Sequence, residues 1–318
     1  MDHSEKPSGI KYESRKILSE IFRLFYWPIC RAYSRHMSDR QAESLLRLLC
    51  SFEYWRTYHF WPNFLQPCRF TEKVWSRMLF ERNPVFTSIT DKYRVREYVT
   101  EMVGSDRLIP LLWKGETPEE IPFDSLPNKF VIKTNHGCDY NIIVEDKRQL
   151  EIKKVIIRLK KWLGENFGND TFLGIAWAYR NIKPMILIES FLEENGRVPV
   201  DYKFFCFSGR VEFFKIDFSR FEAHSEKFFD RNFIKLDLFE QGLRQHHGKI
   251  DLPRNIDEMI AYAESLGAGF DFIRVDLYSI GEKIYFGELT AYPGGTSAKF
   301  EPDYYDYLFG EKWKYNIY

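Results

Sequence analysis

The chain has 318 residues, of which 44% are apolar, so it is long enough to bury a core and to form two or three lobes. Lysine and arginine total 46, as do aspartate and glutamate, and this balance provides no positive field for a nucleic-acid partner. The five cysteines are scattered without a C-x-x-C pair, which argues against a disulfide framework or a structural zinc site and, with a polar N-terminus, favours a cytoplasmic protein.

The first predicted region, residues 1–88, is helical. Apolar residues recur at helical spacing from about residue 12 to residue 83, with start signals at Ser38 and Thr71. Within it, the stretch 21–35 mixes aromatic side chains with arginines but is too short to cross a bilayer. Two interpretations stay open: a buried helical face, which we favour, or a peripheral contact with anionic lipid at the inner face of the membrane.

The second predicted region, residues 89–188, is a linker followed by a small α+β lobe. A helix is predicted to begin at Thr90-Asp91, and a long polar loop follows it. The apolar run 129–133 predicts a strand that ends at Lys133, before a loop that contains Gly137. This places an ammonium group beside flexible backbone N–H groups, an arrangement suited to phosphate, and Lys92 is a second candidate cation. A strand at 141–144, a helix at 150–163 and a strand at 184–188 complete this lobe.

The third predicted region, residues 189–318, is a larger lobe. Glu189 ends a strand, and the polar turn at 193–196 suits a hinge. A hairpin at 202–207 and 211–218, a helix at 256–266 and a second pair of strands at 272–278 and 283–289 follow. The whole pattern predicts an α+β fold.

The last two strands carry the most informative side chains. Alternation along a strand puts Arg274 and Asp276 on one face, and likewise Glu288 and Thr290, so pairing of the strands brings all four together. Two carboxylates beside an arginine favour a site for Mg²⁺ and nucleotide phosphates. The alternative is an ordinary salt-bridged face.

The order of these features resembles the ATP-grasp superfamily. The motifs Phe70-Thr71-Glu72-Lys73 and Phe286-Gly287-Glu288-Leu289-Thr290, with the segments 91–96 and 201–204, are similar to its TupA-like branch, and the resemblance covers about residues 67 to 310. It implies an ATP-grasp fold, in which two α+β lobes clasp ATP, preceded by the N-terminal helical region.

The resemblance also implies roles for individual residues. Arg274 and Lys133 are the implied catalytic residues, and the implied ligands of Mg²⁺ are Asp276, Glu288 and Thr290, although threonine stands where the superfamily commonly has asparagine. The implied ATP-binding residues are Lys92, Lys133, Asn135, Gly137, Glu189, Ser190, Phe191, Leu192, Asp201 and Lys203.

The implied activity is that of an ADP-producing carboxylate–amine ligase that works through an acyl phosphate in bacterial surface polysaccharide or peptide-sugar assembly. Its substrates would be a small-molecule or glycan carboxylate and an amine. A kinase that phosphorylates a sugar hydroxyl stays open, with Asp201, Asp217 or Glu222 as its base. A nucleotide-sugar glycosyltransferase is less favoured, because the chain contains no Asp-x-Asp. Neither a P-loop nor a G-x-G-x-x-G motif occurs, which disfavours other common nucleotide folds.

Overall fold

The computed structural model of the protein describes residues 39–170, 174–194, 196–218, 224–248 and 250–315. The chain divides into two compact units, the first ending at Trp61 and the second running from Pro62 to Tyr318. The predicted boundaries at residues 88 and 188 stay predictions.

The first unit contains helix α1, Asp39–Tyr58. Cys50 and Tyr54 on this helix are buried, whereas Leu48, Phe52 and Trp55 are exposed. Among the described residues, no helix has both the length and the apolar character that a membrane span needs. The stretch 21–35 lies outside the described residues, so its contact with a membrane stays a prediction.

The second unit begins with helices α2 (Phe70–Phe80), α3 (Val85–Thr90) and α4 (Val95–Val103). The helix that the sequence predicts to begin at Thr90-Asp91 begins about one turn later, at Val95. Asp91 explains the shift, because its Oδ1 accepts hydrogen bonds from the backbone N–H groups of Tyr93 (2.8 Å) and Arg94 (3.3 Å) in the turn between α3 and α4. Gly104 then ends α4 with a φ of 94°.

The smaller sheet has four antiparallel strands in the order β1-β4-β2-β3. They are β1 (Leu111–Gly115), β2 (Phe130–Thr134), β3 (Asn141–Val144) and β4 (Ile186–Ser190). Helix α5 (Ile152–Gly164) covers one face by packing Val155 and Leu159 against Ile132 and Ile188, and the short helix α6 (Phe167–Asp170) follows it. The predicted strands at 129–133 and 141–144 are confirmed, but β1 lies where the sequence predicted only a polar loop.

The larger sheet has seven strands, with the order β10-β7-β6-β5-β11-β12 and with β8 paired to β7. Both predicted hairpins are confirmed: β5 (Asp201–Phe207) with β6 (Arg210–Phe218), and β11 (Phe272–Ile280) with β12 (Lys283–Thr290). The sequence prediction missed strands β7 to β10 and β13, and it also missed the last helix, α8. These elements are β7 (Ser225–Asp230), β8 (Lys235–Leu236), β9 (Phe239–Glu240), β10 (Arg244–Gln245), β13 (Phe300–Glu301) and α8 (Tyr304–Lys312).

The two faces of the larger sheet differ in chemistry. Helix α7 (Ile256–Gly267) packs on one face against β5, β6 and β11. At one end of the other face, aromatic side chains meet α2 and α8: the Phe70 and Phe272 rings lie 5.1 Å apart, and those of Phe213 and Phe309 stack at 3.7 Å. The remainder of this second face carries charged side chains. This face of the sheet is therefore held by aromatic packing at one end and carries charged side chains at the other.

The motif Phe70-Thr71-Glu72-Lys73 is a joint between α2 and α8. Asp306 on α8 accepts hydrogen bonds from the backbone N (2.8 Å) and the Oγ1 (2.7 Å) of Thr71. Lys73 Nζ donates to the carbonyl oxygen of Gly310 (2.8 Å), while the Glu72 carboxylate accepts from three backbone N–H groups before α2. The predicted α+β fold is confirmed, and this motif has a structural role within it.

Candidate functional site

A cleft opens between the smaller sheet and the β12 edge of the larger sheet. Lys133 on β2, Glu189 on β4 and Lys92 in the α3–α4 turn line one wall. Glu288 and Thr290 on β12 line the other. These residues are far apart in the sequence and were predicted separately as site residues. In the structure they face the same cleft.

Cations are concentrated on the first wall. Lys133 Nζ lies 2.5 Å from Glu189 Oε2, and Arg96 Nη1 lies 3.3 Å from Glu189 Oε1. Lys92 Nζ donates a hydrogen bond to the carbonyl oxygen of Gly137. Three cations thus line this wall, two of which, Lys133 and Arg96, share the Glu189 carboxylate, and the sequence prediction named only Lys92 and Lys133. Arg96 was missed as a site residue because a single arginine on a predicted helix gives no sign of which side chains surround it.

The loop after β2 is held by Asn135, whose side chain is buried. Its Nδ2 donates to Asp91 Oδ1 and to the carbonyl oxygen of Lys183, both at 3.0 Å, and its Oδ1 accepts from the backbone N of Met185 at 2.7 Å. Asn135 therefore ties the loop to the α3–α4 turn and to the segment before β4. In this arrangement its amide positions the loop and does not line the cleft.

The predicted hinge follows directly from β4. Glu189 and Ser190 belong to the strand, and the backbone N of Ser190 donates to the carbonyl oxygen of Pro110 at 2.9 Å. Phe191 and Leu192 come after the strand and are half-buried. Of these four residues, Glu189 is the one that lines the cleft.

Arg274 joins the carboxylates of the second wall. Its Nε and Nη2 donate to the two oxygens of Asp276 at 2.7 Å each, and its Nη2 also contacts Glu288 Oε1 at 2.8 Å and Thr290 Oγ1 at 3.0 Å. Burial alone would lower the pKa of Arg274, but the carboxylates of Asp276 and Glu288 raise it overall. The four residues converge as the strand alternation predicted, because Asp276 pairs with Glu288 and Arg274 with Thr290 in the sheet register.

Lys203 and Asp201 extend this cluster across the sheet on β5. Lys203 Nζ donates to Asp276 Oδ2 at 2.7 Å and to Asp201 Oδ2, and both residues are buried. Burial would raise the pKa of Asp276, yet Arg274 and Lys203 hold it well below its usual range. Asp276 is therefore an ionised carboxylate on the sheet face.

The donors on the second wall fit a hard divalent cation in type and in place. Glu288 has a side chain that is 42% exposed at the cleft, and carboxylate and hydroxyl oxygens are the ligands that Mg²⁺ prefers. In the described part of the chain, no three His, Cys, Asp or Glu side chains group closely enough to hold a metal by themselves. An ion held by Asp276, Glu288 and Thr290 would thus need further oxygen ligands from a bound molecule or water.

Comparison with known families gives one clear result. A family model described as TupA-like ATPgrasp matches residues 72–314, which is more than half of the chain. No protein in the curated comparison matches.

Solved structures give weaker likenesses, among them three ligases. A D-alanine–D-alanine ligase from Bacillus anthracis complexed with ATP is 16% identical with a TM-score of 0.39, over 65% of this chain and 56% of that one. The ATP-grasp ligase PsnB, complexed with a phosphomimetic variant of its minimal precursor, Mg and ADP, is 12% identical with a TM-score of 0.37, over 73% and 61%. An L-amino acid ligase from Bacillus licheniformis is 13% identical with a TM-score of 0.38, over 66% and 42%. The chain spans less than two thirds of each of these structures, so the assignment of the family depends on the family model.

Proposed function

The chain belongs to the TupA-like ATP-grasp family, and on this premise we propose that it is an ATP-dependent ligase that joins a carboxylate to an amine through an acyl phosphate and releases ADP. The observation that carries the proposal is the shared cleft, where Lys92 and Lys133 face Glu288 and Thr290 from the opposite wall. Phosphoryl transfer requires mainly positioning and charge neutralisation, and cations opposite oxygen donors supply both.

In this proposal the first wall holds the nucleotide. Lys92 and Lys133 exchange their present partners, Gly137 and Glu189, for phosphate oxygens of ATP, and Asn135 keeps the loop in place. The segment from Glu189 through Ser190 and Phe191 to Leu192 contacts the adenine. Asp201 contacts the ribose, and Lys203 carries positive charge beside it.

The second wall stabilises the reacting groups. Asp276, Glu288 and Thr290 would hold Mg²⁺, which when bound neutralises charge on the transferred phosphoryl group. Arg274 shifts its guanidinium from these oxygens towards the acyl phosphate, where negative charge develops during transfer. Arg274 and Lys133 are accordingly the catalytic residues of the proposal.

We propose a uronic acid as the carboxylate and an amino acid or peptide as the amine, in the assembly of bacterial surface polysaccharide or peptide-sugar. This part of the proposal depends on the resemblance of the motifs, and the charged cleft is compatible with two ionic substrates. A peripheral contact of residues 21–35 with the inner face of the membrane would bring the enzyme to a lipid-linked acceptor.

The test incubates the purified chain with ATP, Mg²⁺ and a panel of uronic acids and amino acids, and follows nucleotide and product by mass spectrometry. ADP together with an amide is the expected result. AMP would indicate adenylation, and ADP with a phosphorylated sugar would indicate a kinase, so either outcome would contradict the proposal. Glu288→Gln is the control for release of ADP by a contaminating enzyme.

A further inference from the structure

The charged face of the larger sheet continues beyond the cleft, onto β6 and β7. Lys215 Nζ contacts Glu226 Oε2 at 2.9 Å, Glu240 Oε1 at 2.8 Å and Asp217 Oδ1 at 3.6 Å. Asp217 Oδ2 lies 3.7 Å from Lys203 Nζ. Two lysines, Lys203 and Lys215, therefore face four carboxylates at this end of the sheet: Asp201, Asp217, Glu226 and Glu240. Burial raises the pKa of Glu226 to about 7, so this carboxyl is partly protonated at neutral pH, but the other three carboxylates still outnumber the two lysines among the described residues. A buried negative excess is costly unless a further positive group is present.

One oxygen of the Asp217 carboxylate lacks a hydrogen bond. The side chain is only 3% exposed, and its Oδ1 accepts no hydrogen bond within the described part of the chain. Burial would raise the pKa of Asp217, but Lys215 and Lys203 lower it overall, so the group is ionised. A buried, charged oxygen without a hydrogen-bond donor calls for a partner.

The nearest candidate partner is His224, directly before β7. Its Nε2 lies 3.4 Å from Asp217 Oδ1 and, like that oxygen, is buried without a hydrogen bond among the described residues. The His224 side chain as a whole is 28% exposed, so one side of the ring is accessible from solvent. A slight approach would make an Nε2–H···Oδ1 bond, which leaves the lone pair on Nδ1 to accept a proton.

This pair is connected to the proposed reaction centre. Asp217 Oδ2 is 3.7 Å from Lys203 Nζ, which donates to Asp276 Oδ2, and Asp276 in turn is held by Arg274. In the sheet, β6 is separated from β11 by β5 alone, a distance of roughly 10 Å between strand axes. The His224–Asp217 pair and the Arg274 guanidinium therefore belong to the same charged face of the sheet, linked through Lys203 and Asp276.

We propose that His224 is the catalytic base that takes a proton from the amine substrate and that Asp217 is the residue that positions it. This inference depends on the proposed ligase function and adds a site for the second substrate. A primary amine is mostly an ammonium ion at neutral pH and has no lone pair for attack, so a ligase of this kind needs a proton acceptor at its amine site. The negative excess around Asp217 attracts the ammonium form to the same place.

The proton and electron balance is simple. The ammonium group transfers one proton to His224 Nδ1, and the imidazolium is stabilised by the Asp217 carboxylate. The freed nitrogen lone pair forms the C–N bond at the acyl carbon, and the C–O bond to phosphate breaks with its electron pair going to the leaving phosphate. The second nitrogen proton goes to that phosphate, which gives a neutral amide. His224 then returns its proton to solvent.

The experiment compares two amines at pH 7.5 in wild type, His224→Gln and Asp217→Asn, with the uronic acid that gives an amide in wild type. One amine is the reactive amino acid, and the other is hydroxylamine, which is largely unprotonated at this pH and needs no base. We expect His224→Gln to lower kcat with the amino acid about 100-fold or more, and Asp217→Asn to lower it about tenfold. Hydroxamate formation should stay within about threefold of wild type in both variants, because acyl phosphate formation does not use this pair.

His247→Gln is the matched control, because His247 is exposed in the same lobe. Equal loss with both amines would indicate a structural role, and no loss with either would leave His224 without a function, so each outcome overturns the inference. Nitrogen NMR of the wild-type ring adds a test that needs no substrate: the Nε2–H tautomer is expected, and an Nδ1–H tautomer overturns the assignment. If wild type forms neither amide nor hydroxamate, the proposed function itself is wrong.

Discussion

Two buried aspartates of this protein have pKa values that are shifted in opposite directions. Asp276, bonded to Arg274 beside the cleft, and Asp306, in the joint between α2 and α8, are each about 2–3% exposed and lie beside an arginine. Asp276 is held by two bonds from Arg274 and one from Lys203, and its pKa falls well below the usual range. Asp306 is bonded to Thr71 and lies 3.6 Å from Arg69, and burial raises its pKa to about 6. Burial alone therefore does not decide in which direction the pKa of a carboxyl group shifts.

The two aspartates also differ in whether their hydrogen-bond partners can bind a ligand instead. Arg274 also touches Glu288 and Thr290 at the open cleft, so its bonds can be exchanged for those of a ligand. The two bonds to Asp306 come from a backbone N–H and a hydroxyl of one helix residue, Thr71. Substitutions at the cleft should therefore change turnover, whereas substitutions at the joint should change stability.

The largest expected effect is on kcat, from Arg274→Lys. Lysine keeps the charge but loses the forked contact to Asp276 and Glu288, and removing a matched donor from a developing negative charge costs about 10²–10³-fold in kcat. The KM for ATP should change little. Arg210→Lys, at an exposed position of β6, is the control. A raised KM with wild-type kcat would show instead that Arg274 acts in ground-state binding.

Glu288→Gln should lower turnover about 100-fold and should shift the Mg²⁺ dependence to higher concentration, because it removes one charged oxygen from the proposed metal site. The side chain is partly exposed, so the melting temperature should stay close to that of wild type. Glu282→Gln is the control: Glu282 is exposed in the turn of the same hairpin, and this variant should have wild-type turnover and Mg²⁺ dependence. Unchanged turnover in Glu288→Gln at limiting Mg²⁺ would remove this carboxylate from the metal site.

Lys133→Ala tests the opposite wall. Its ammonium would hold phosphate in both the ground state and the transition state, so we expect roughly a tenfold rise in the KM for ATP and a similar fall in kcat. Lys129→Ala is the matched control, because Lys129 is exposed directly before the same strand and pairs with Glu193. If both variants bind ATP as the wild type does, then the cleft holds the nucleotide by other groups.

The smallest effect on turnover is expected at the joint, where Asp306→Asn should change stability alone. Because the folded state raises the pKa of Asp306 from 3.8 to about 6, the folded protein binds the proton more tightly, so stability from this group is present below about pH 4 and is lost as the pH rises through 6. The shift corresponds to about 3 kcal/mol. Urea unfolding at pH 4.5 and 7 should show a pH dependence in wild type that is reduced in Asp306→Asn.

Asp303→Asn is the control for this comparison, since Asp303 contacts the same arginine, Arg69, but is exposed. It should keep most of the wild-type dependence of stability on pH, because burial is the largest cause of the raised pKa of Asp306 and Asp303 the smallest. An Asp306→Asn variant that unfolds as wild type does at both pH values would show that the carboxyl is not neutralised in the folded state. A loss of turnover in that variant at pH 7, with the protein still folded, would contradict the prediction that Asp306 affects stability alone.

The amino-acid sequence by itself determined the α+β fold, both hairpins of the larger sheet and the convergence of Arg274, Asp276, Glu288 and Thr290. These follow from local patterns, since strand alternation and a tight turn fix which side chains share a face. The resemblance of the motifs identified the TupA-like ATP-grasp family, and the family model confirms it.

Tertiary structure decided what depends on pairing between distant segments. Strand β1 forms in a polar, proline-rich stretch because β4 supplies its hydrogen bonds, and local propensity carries no sign of that partner. For the same reason Arg96 enters the cleft beside Glu189, Asn135 turns inward to Asp91, and Asp217 comes to face His224. The sequence gives the charge and hydrogen-bonding capacity of each side chain. Which neighbour pairs with that side chain is decided only when the strands and helices pack.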